Sequence, residues 1–127
     1  MQIVVVTPEK TELDETVDSV VLPLFDGAYG ILKDHAPMIG RLGFGELSIK
    51  TGGRQDRFYV DGGFVQVTDN VISVLTGRAI PVSQIDVKAA ETALAEAEKM
   101  EAKTADLAEL RQRSISQAKA QIKLGRG

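Results

Sequence analysis

Cysteine and tryptophan are absent from this chain, and histidine occurs once. Without thiols there is no disulfide framework, no thiolate zinc site and no cysteine nucleophile. A single imidazole leaves no His-rich metal site. A Ser/His/Asp arrangement would have to recruit Ser19, Ser48 or Ser73, none of them in a nucleophile-elbow context. Neither Gly-x-x-x-x-Gly-Lys-Ser/Thr nor Gly-x-Gly-x-x-Gly occurs, and Gly43-Phe44-Gly45 is too short to cradle a phosphate. The expectation is a protein without catalytic residues, metal or cofactor. No apolar run approaches the roughly 18 residues needed to cross a bilayer. With 15 Lys and Arg against 18 Asp and Glu, the net charge is −3, which excludes a globally basic nucleic-acid binder. The opening Met1-Gln2-Ile3-Val4-Val5-Val6 lacks the charged n-region of a signal peptide, so an unprocessed intracellular chain is expected.

What is present is unevenly distributed. All four prolines, all six aromatics and ten of the twelve glycines precede Val82, whereas ten alanines follow it against three before. Turn-rich, β-branched sequence therefore gives way to helix-favouring sequence near Pro81, and two domains are expected, 1–82 and 83–127. The first reads as short strands: Ile3 to Val6, Val17 to Leu22, Glu46 to Lys50, Arg57 to Val60, Phe64 to Thr68 and Val71 to Leu75. Gly52-Gly53 and Asp69-Asn70 suit tight hairpin turns. Gly62-Gly63, inside a continuous run, predicts a bulge or the close approach of another backbone. Pro8, Pro23 and Pro37 are placed at strand ends, and Phe58, Tyr59 and Phe64 in the core.

The second domain reads as two helices. Asp86 can cap the first, with Val87, Ala90, Leu94 and Ala97 on one face; Thr104 or Asp106 can cap the second, with Leu107, Leu110, Ile115, Ala118 and Ile122 on one side. No Gly or Pro marks the turn, so one long helix is the alternative. Faces built largely of alanine remove little apolar area from water, so this part is held weakly. Residues 86–109 carry seven acids and three bases; residues 110–127 carry Arg111, Arg113, Lys119, Lys123 and Arg126 with no acid. A helix locally +5 on an acidic protein suits either its own dipole or an acidic partner surface. Nucleic acid is disfavoured because no aromatic stacking platform accompanies these cations, and no Trp or Phe anchors them to a membrane.

Two weaker signals remain. Glu9, Glu12, Asp14, Glu15 and Asp18 fit no calcium-loop spacing and read as solvated charges guarding a sheet edge. His35 beside Asp34 in a Gly/Pro-rich loop reads as structural or interfacial.

Several motifs, in order, resemble a known family. Val6-Thr7-Pro8 is followed by Val21-Leu22-Pro23 and Asp26-Gly27-Ala28-Tyr29-Gly30-Ile31-Leu32. Then come His35-Ala36-Pro37, Gly45-Glu46-Leu47 and Val60-Asp61-Gly62-Gly63-Phe64-Val65-Gln66-Val67, ahead of an Ala-rich helical pair. This series resembles the epsilon subunit of the F-type ATP synthase. The resemblance implies a mainly β N-terminal domain, a flattened β-sandwich of about ten strands, followed by a C-terminal antiparallel α-helical hairpin. It further implies a non-catalytic rotor subunit of the central stalk, on the cytoplasmic side of the bacterial inner membrane and peripheral to it.

On that resemblance, His35, Ala36, Pro37 and Met38 face the gamma subunit, and Asp26, Gly27, Ala28, Tyr29 and Gly30 face the c-ring. Arg111, Arg113, Lys119 and Lys123 meet an acidic segment of the beta subunit in the alpha/beta head and restrain ATP hydrolysis. Ile85 and Asp86 match the start of an Ile-Asp-x-x-Arg-Ala nucleotide motif. Ala89 stands at its arginine position, so ATP binding is expected to be weak or absent. Ala28 stands where the family often has an acid, and Lys33 where it often has a proline. The alternative reading of the residues is a free-standing β-sandwich module binding a ligand or carbohydrate.

Overall fold

A computed structural model describes residues 1–127, which divide into two compact units, Met1–Pro81 and Val82–Gly127. The first contains eight strands: β1 (Gln2–Val6), β2 (Thr11–Thr16), β3 (Ser19–Leu24), β4 (Gly27–Leu32), β5 (Met38–Thr51), β6 (Arg54–Thr68), β7 (Val71–Leu75) and β8 (Ala79–Pro81). They form a β-sandwich-like sheet in the order β2-β1-β7-β6-β5-β3-β4, with β8 pairing β6. All neighbours are antiparallel except β1 and β7. Period-two alternation fills the core: Ile3 and Val5, Val20 and Leu22, Leu47 and Ile49, Val65 and Val67, Ile72 and Val74 are all buried.

Eight strands are present where the resemblance implies about ten and the residues alone suggest six, and β5 and β6 run through what the sequence divides into shorter pieces. Arg57 to Val60 and Phe64 to Thr68 belong to one 15-residue strand, and Glu46 to Lys50 is the second half of a 14-residue one. Their register with each other is unbroken from Met38↔Val67 to Thr51↔Arg54. Gly62-Gly63 lets the strand bend without ending. Gly62 and Gly63 adopt φ of 70° and 106°. A Cβ on Gly63 would stand 1.9 Å from the Leu75 carbonyl oxygen, which is the close backbone approach the glycine pair predicts.

The turns behave as their residues dictate. Asp69 and Asn70 take φ of 50° and 62°, the two positive values a type I′ hairpin needs. Gly52 takes 61° at the first central position of its turn, as in type II′. Pro23 is not at a strand end but one residue inside β3. It is tolerated because the ladder to β5 shifts between Val21 and Leu24, so no bond is lost there. Its ring also sits where a side chain on Gly45 would be, 3.1 Å from that position. The acidic stretch around Glu12, Asp14 and Glu15 is itself strand β2, at one edge of the sheet.

The second unit opens with a 3₁₀ turn (Val82–Gln84), then α1 (Val87–Lys99) and α2 (Ala105–Arg126). The two helices are separate. Asp86 caps α1, its side chain accepting from the Ala89 N–H, and Thr104 caps α2, accepting from Leu107. Ala90, Ala97, Ile115 and Ala118 are buried between them. Leu107 and Leu110, expected on the apolar face, are instead 40% and 52% exposed. The cause is length: 22 residues against 13, about 33 Å against about 20 Å at 1.5 Å per residue. Arg111 already lies opposite the end of α1, so the turns before it overhang.

Candidate interaction surfaces

Strand pairing gathers exposed apolar side chains on the β unit. Cα partners Arg41↔Phe64, Phe64↔Leu75 and Val6↔Leu75 make one row across β5, β6, β7 and β1. A second row runs Ile39, Gln66, Ser73 and Val4. Ile39, Phe64 and Leu75 are 77%, 61% and 56% exposed. Phe64 is therefore not a core residue. Its neighbours Val65 and Val67 point inward, and parity sends Phe64 out. Tyr59, in contrast, is fully buried. Beside the first row lies a shallow, largely apolar depression lined by Val6, Thr7, Pro8, Gly63, Leu75, Thr76 and Gly77.

A buried polar cluster holds the bend that aims Phe64. Tyr59 Oη donates to Asp61 Oδ1 at 2.6 Å, Arg78 Nε donates to Asp61 Oδ2 at 3.2 Å, and the Asp61 N–H donates to Thr76 Oγ1 at 2.9 Å. Asp61 is almost wholly buried, so this pairing answers the cost of taking a carboxylate from water. Sequence reasoning assigned Asp61 no role. The signal was its place directly before Gly62-Gly63, where a bend needs a fixed anchor.

Of the residues expected to face partners, His35, Ala36, Pro37 and Met38 run directly into Ile39 at the start of β5. Gly27, Ala28, Tyr29 and Gly30 are all exposed along edge strand β4, with Asp26 in the turn before it. The two segments touch: Tyr29 Oη lies 2.9 Å from His35 Nε2, with the rings edge-to-face at 5.6 Å. A groove lined by Val21, Pro23, Leu24, Gly27, Ala28, Glu46, Ser48 and Gln55 flanks β4. Close to it Arg57 bonds Glu46, and that hydrogen bond, with the carboxylate's charge, raises the guanidinium pKa above its ordinary value.

On the helical unit the cations separate by role. Arg111 Nη2 donates to the Glu98 carbonyl oxygen at 3.1 Å, serving an otherwise unpaired helix-end acceptor. Arg126 pairs with Glu91 at 2.5 Å. Lys119 and Lys123 are exposed and line a groove with Glu91, Leu94, Ala95, Glu98, Ile122 and Arg126. Arg113 is exposed on α2. Asp86 is occupied as the α1 cap, and Ile85 packs where a side chain on Gly125 would come within 3.0 Å of it. Ala89 is exposed and offers no donor beyond its backbone.

These features define a class: a β-sandwich-like unit joined to a two-helix hairpin, with its distinctive chemistry in exposed apolar rows and segregated cations. Residues 1–82 match the family described as ATP synthase, Delta/Epsilon chain, beta-sandwich domain. The ATP synthase epsilon chain of Rhodopirellula baltica is 49% identical over 123 residues, covering 97% of this chain and 96% of that one. The epsilon chain of Symbiobacterium thermophilum is 42% identical over 129 residues, covering 99% and 86%. This chain belongs to the ATP synthase epsilon chain family.

The fold is likewise similar to a chain in the Euglena gracilis mitochondrial ATP synthase OSCP/F1/c-ring structure, with a TM-score of 0.81 at 24% identity, covering 93% of this chain and 76% of that one. A chain of the Tetrahymena thermophila mitochondrial ATP synthase central stalk/c-ring gives 0.74 at 17% identity, covering 98% and 96%. No helix here is long and apolar enough to cross a membrane.

Proposed function

We propose that this chain is a non-catalytic rotor subunit in the central stalk of an F-type ATP synthase. It couples the catalytic head to the c-ring and restrains ATP hydrolysis through its C-terminal helices. The observation that carries the reading is the exposed row Arg41–Phe64–Leu75–Val6 with Ile39, continuous with the His35–Met38 segment. A solvent-facing row of Phe, Leu and Ile on a sheet gains free energy only when a partner covers it. The gamma subunit is that partner, and His35, Ala36, Pro37 and Met38 form the rim of its contact. Family membership supports this, as does the fold's likeness to chains from central-stalk and c-ring assemblies.

Asp26 to Gly30 is the c-ring contact: small, exposed residues on an edge strand admit another surface closely. Arg111, Arg113, Lys119 and Lys123 meet an acidic segment of the beta subunit, a charge-complementary contact that slows hydrolysis. Domain roles follow, with 1–82 the anchor and 83–127 the regulatory part. The chain sits peripherally on the cytoplasmic side of a bacterial inner membrane, held there by the complex.

The test is co-purification with the alpha, beta and gamma head, together with the head's ATP hydrolysis rate. Phe64→Glu, which puts a charge in the centre of the row, is expected to abolish co-purification. Replacing Arg111, Arg113, Lys119 and Lys123 by Ala is expected to leave co-purification intact and release hydrolysis. Unchanged binding by Phe64→Glu would remove the apolar row from the interface.

A further inference from the structure

The segment between β4 and β5 is pinned through two adjacent residues, His35 and Asp34, to different parts of the sheet. On one side Tyr29, in edge strand β4, reaches His35: 2.9 Å from Oη to Nε2, with ring planes at 75°. The imidazole is held from its other nitrogen as well, since Nδ1 lies 2.6 Å from the Ala36 carbonyl oxygen. A carbonyl only accepts, so Nδ1 donates, and in the neutral ring Nε2 accepts from the Tyr29 hydroxyl. The backbone closes the turn as well, with the His35 N–H donating to the Leu32 carbonyl at 3.2 Å.

On the other side Asp34 and Asn70 exchange bonds across 36 residues of sequence. The Asp34 N–H donates to Asn70 Oδ1 at 2.6 Å, and Asn70 Nδ2 donates to Asp34 Oδ1 at 2.9 Å. Both residues sit in the left-handed region, with φ of 66° and 62°, conformations that Asp and Asn tolerate better than other side chains. Asn70 is fixed in turn, its carbonyl accepting from the Gln2 N–H at 2.8 Å. One chain of bonds thus runs from the edge strand β4, through the connecting loop, to the β6–β7 turn and β1.

We propose that Tyr29 and His35, backed by the Asp34–Asn70 exchange, are a positioning pair that fixes the Asp26–Gly30 and His35–Met38 segments relative to one another. This rests on the reading above that the first segment meets the c-ring and the second the gamma subunit. Two contacts made by one body gain most from each other when the link between them is already ordered; a loose link must be ordered on binding, which takes back part of the gain. The pair therefore acts where both surfaces are engaged together. It has no effect where one is engaged alone.

That difference gives the experiment. Labelled full-length chain is titrated onto epsilon-depleted catalytic head without ring, and onto epsilon-depleted whole complex in membranes. The unaltered chain is expected to bind the whole complex more tightly than the head. Tyr29→Phe keeps the ring and loses the hydroxyl; it is expected to bind the head unchanged and the whole complex about two- to ten-fold more weakly, the range for one hydrogen bond. Because Tyr29 itself stands in the ring-facing segment, the deciding variant is one at Asn70, outside both segments. Asn70→Gly, which keeps the left-handed backbone and removes the amide, is expected to show the same split, with circular dichroism unchanged. A loss with Tyr29→Phe but none with Asn70→Gly would make Tyr29 a direct contact and overturn the positioning role.

Equal weakening on both targets, or none on either, would overturn the positioning role: the first is what general loosening of the fold gives, the second an idle contact. A wild-type chain that binds the whole complex no better than the head would instead remove the ring contact. That failure belongs to the functional reading, and it is seen before any variant is tested.

Discussion

Gly63 carries the largest single-residue constraint in the β unit. Its φ of 106° is open to glycine, and any Cβ would overlap the Leu75 carbonyl oxygen. Gly63→Ala is expected to cost at least about 3 kcal/mol, combining left-handed strain with a backbone clash. Urea unfolding of the full chain followed at β-sheet wavelengths measures it; a loss below about 1 kcal/mol would mean that β7 moves aside freely.

Two residues before it, Asp61→Ala removes the acceptor of the Tyr59 hydroxyl and the counter-ion of Arg78, with an expected loss of about 1–3 kcal/mol. Tyr59→Phe combined with Asp61→Ala should be less than additive, since both delete one bond. The close backbone approach at Gly62-Gly63 was legible in the sequence as one of two readings, a bulge being the other, because glycine has few other reasons to interrupt a β-branched run. Asp61 was not, since an acid in a polar-rich chain looks solvated until its partners, from β6 and the stretch after β7, are folded onto it.

Among elements, the helical hairpin is closely fitted at its open end. Gly125, in the last turn of α2, lets that helix approach the start of α1: a Cβ there would lie 2.5 Å from Val87 Cγ2 and 3.0 Å from Ile85 Cγ2. Gly125→Val is expected to push the helix ends apart and weaken the Arg126–Glu91 pair beside it. Amide exchange in residues 87–97 and 115–124 should speed about ten-fold, equivalent to about 1.4 kcal/mol, while the β unit stays unchanged. Unchanged exchange would show that the contact is slack.

Capping residues marked where each helix could start, Asp86 for the first and Thr104 or Asp106 for the second, while the missing Gly or Pro left one long helix open. In the structure Asp86 and Thr104 place side-chain oxygens where N–H groups lack partners. The overhang of Leu107 and Leu110 was not readable, because helical periodicity says which face is apolar and not how far the partner helix extends. Strand β4 escaped for a related reason. Gly27, Ala28 and Gly30 have poor strand propensity, and their pairing with Pro23, Leu24 and Val21 holds them extended. The first half of β5 escaped likewise, its glycines fitting against Leu24 and Phe25.

For the whole molecule, what matters is that two kinds of surface are carried on two units. The β unit presents rows that are largely apolar, with Ile39, Phe64 and Leu75 outward and Arg41 as their one charge. The basic half of the hairpin holds Arg111, Arg113, Lys119, Lys123 and Arg126 without an acid, on a chain whose net charge is −3. Apolar burial does not weaken as salt rises, whereas contacts between exposed charges are screened, the Debye length falling from about 30 Å at 0.01 M to about 8 Å at 0.15 M.

The two proposed roles are therefore separable by ionic strength alone. Raising salt over that range is expected to leave association of the chain with the catalytic head nearly constant while its restraint on hydrolysis weakens. The Arg111, Arg113, Lys119 and Lys123 to Ala variant should show no such salt dependence, having lost the charges that salt screens. Measured side by side, association and restraint falling together would mean that the cations anchor the chain as well as brake the head. Division of labour between the units would then fail, even with the family assignment intact.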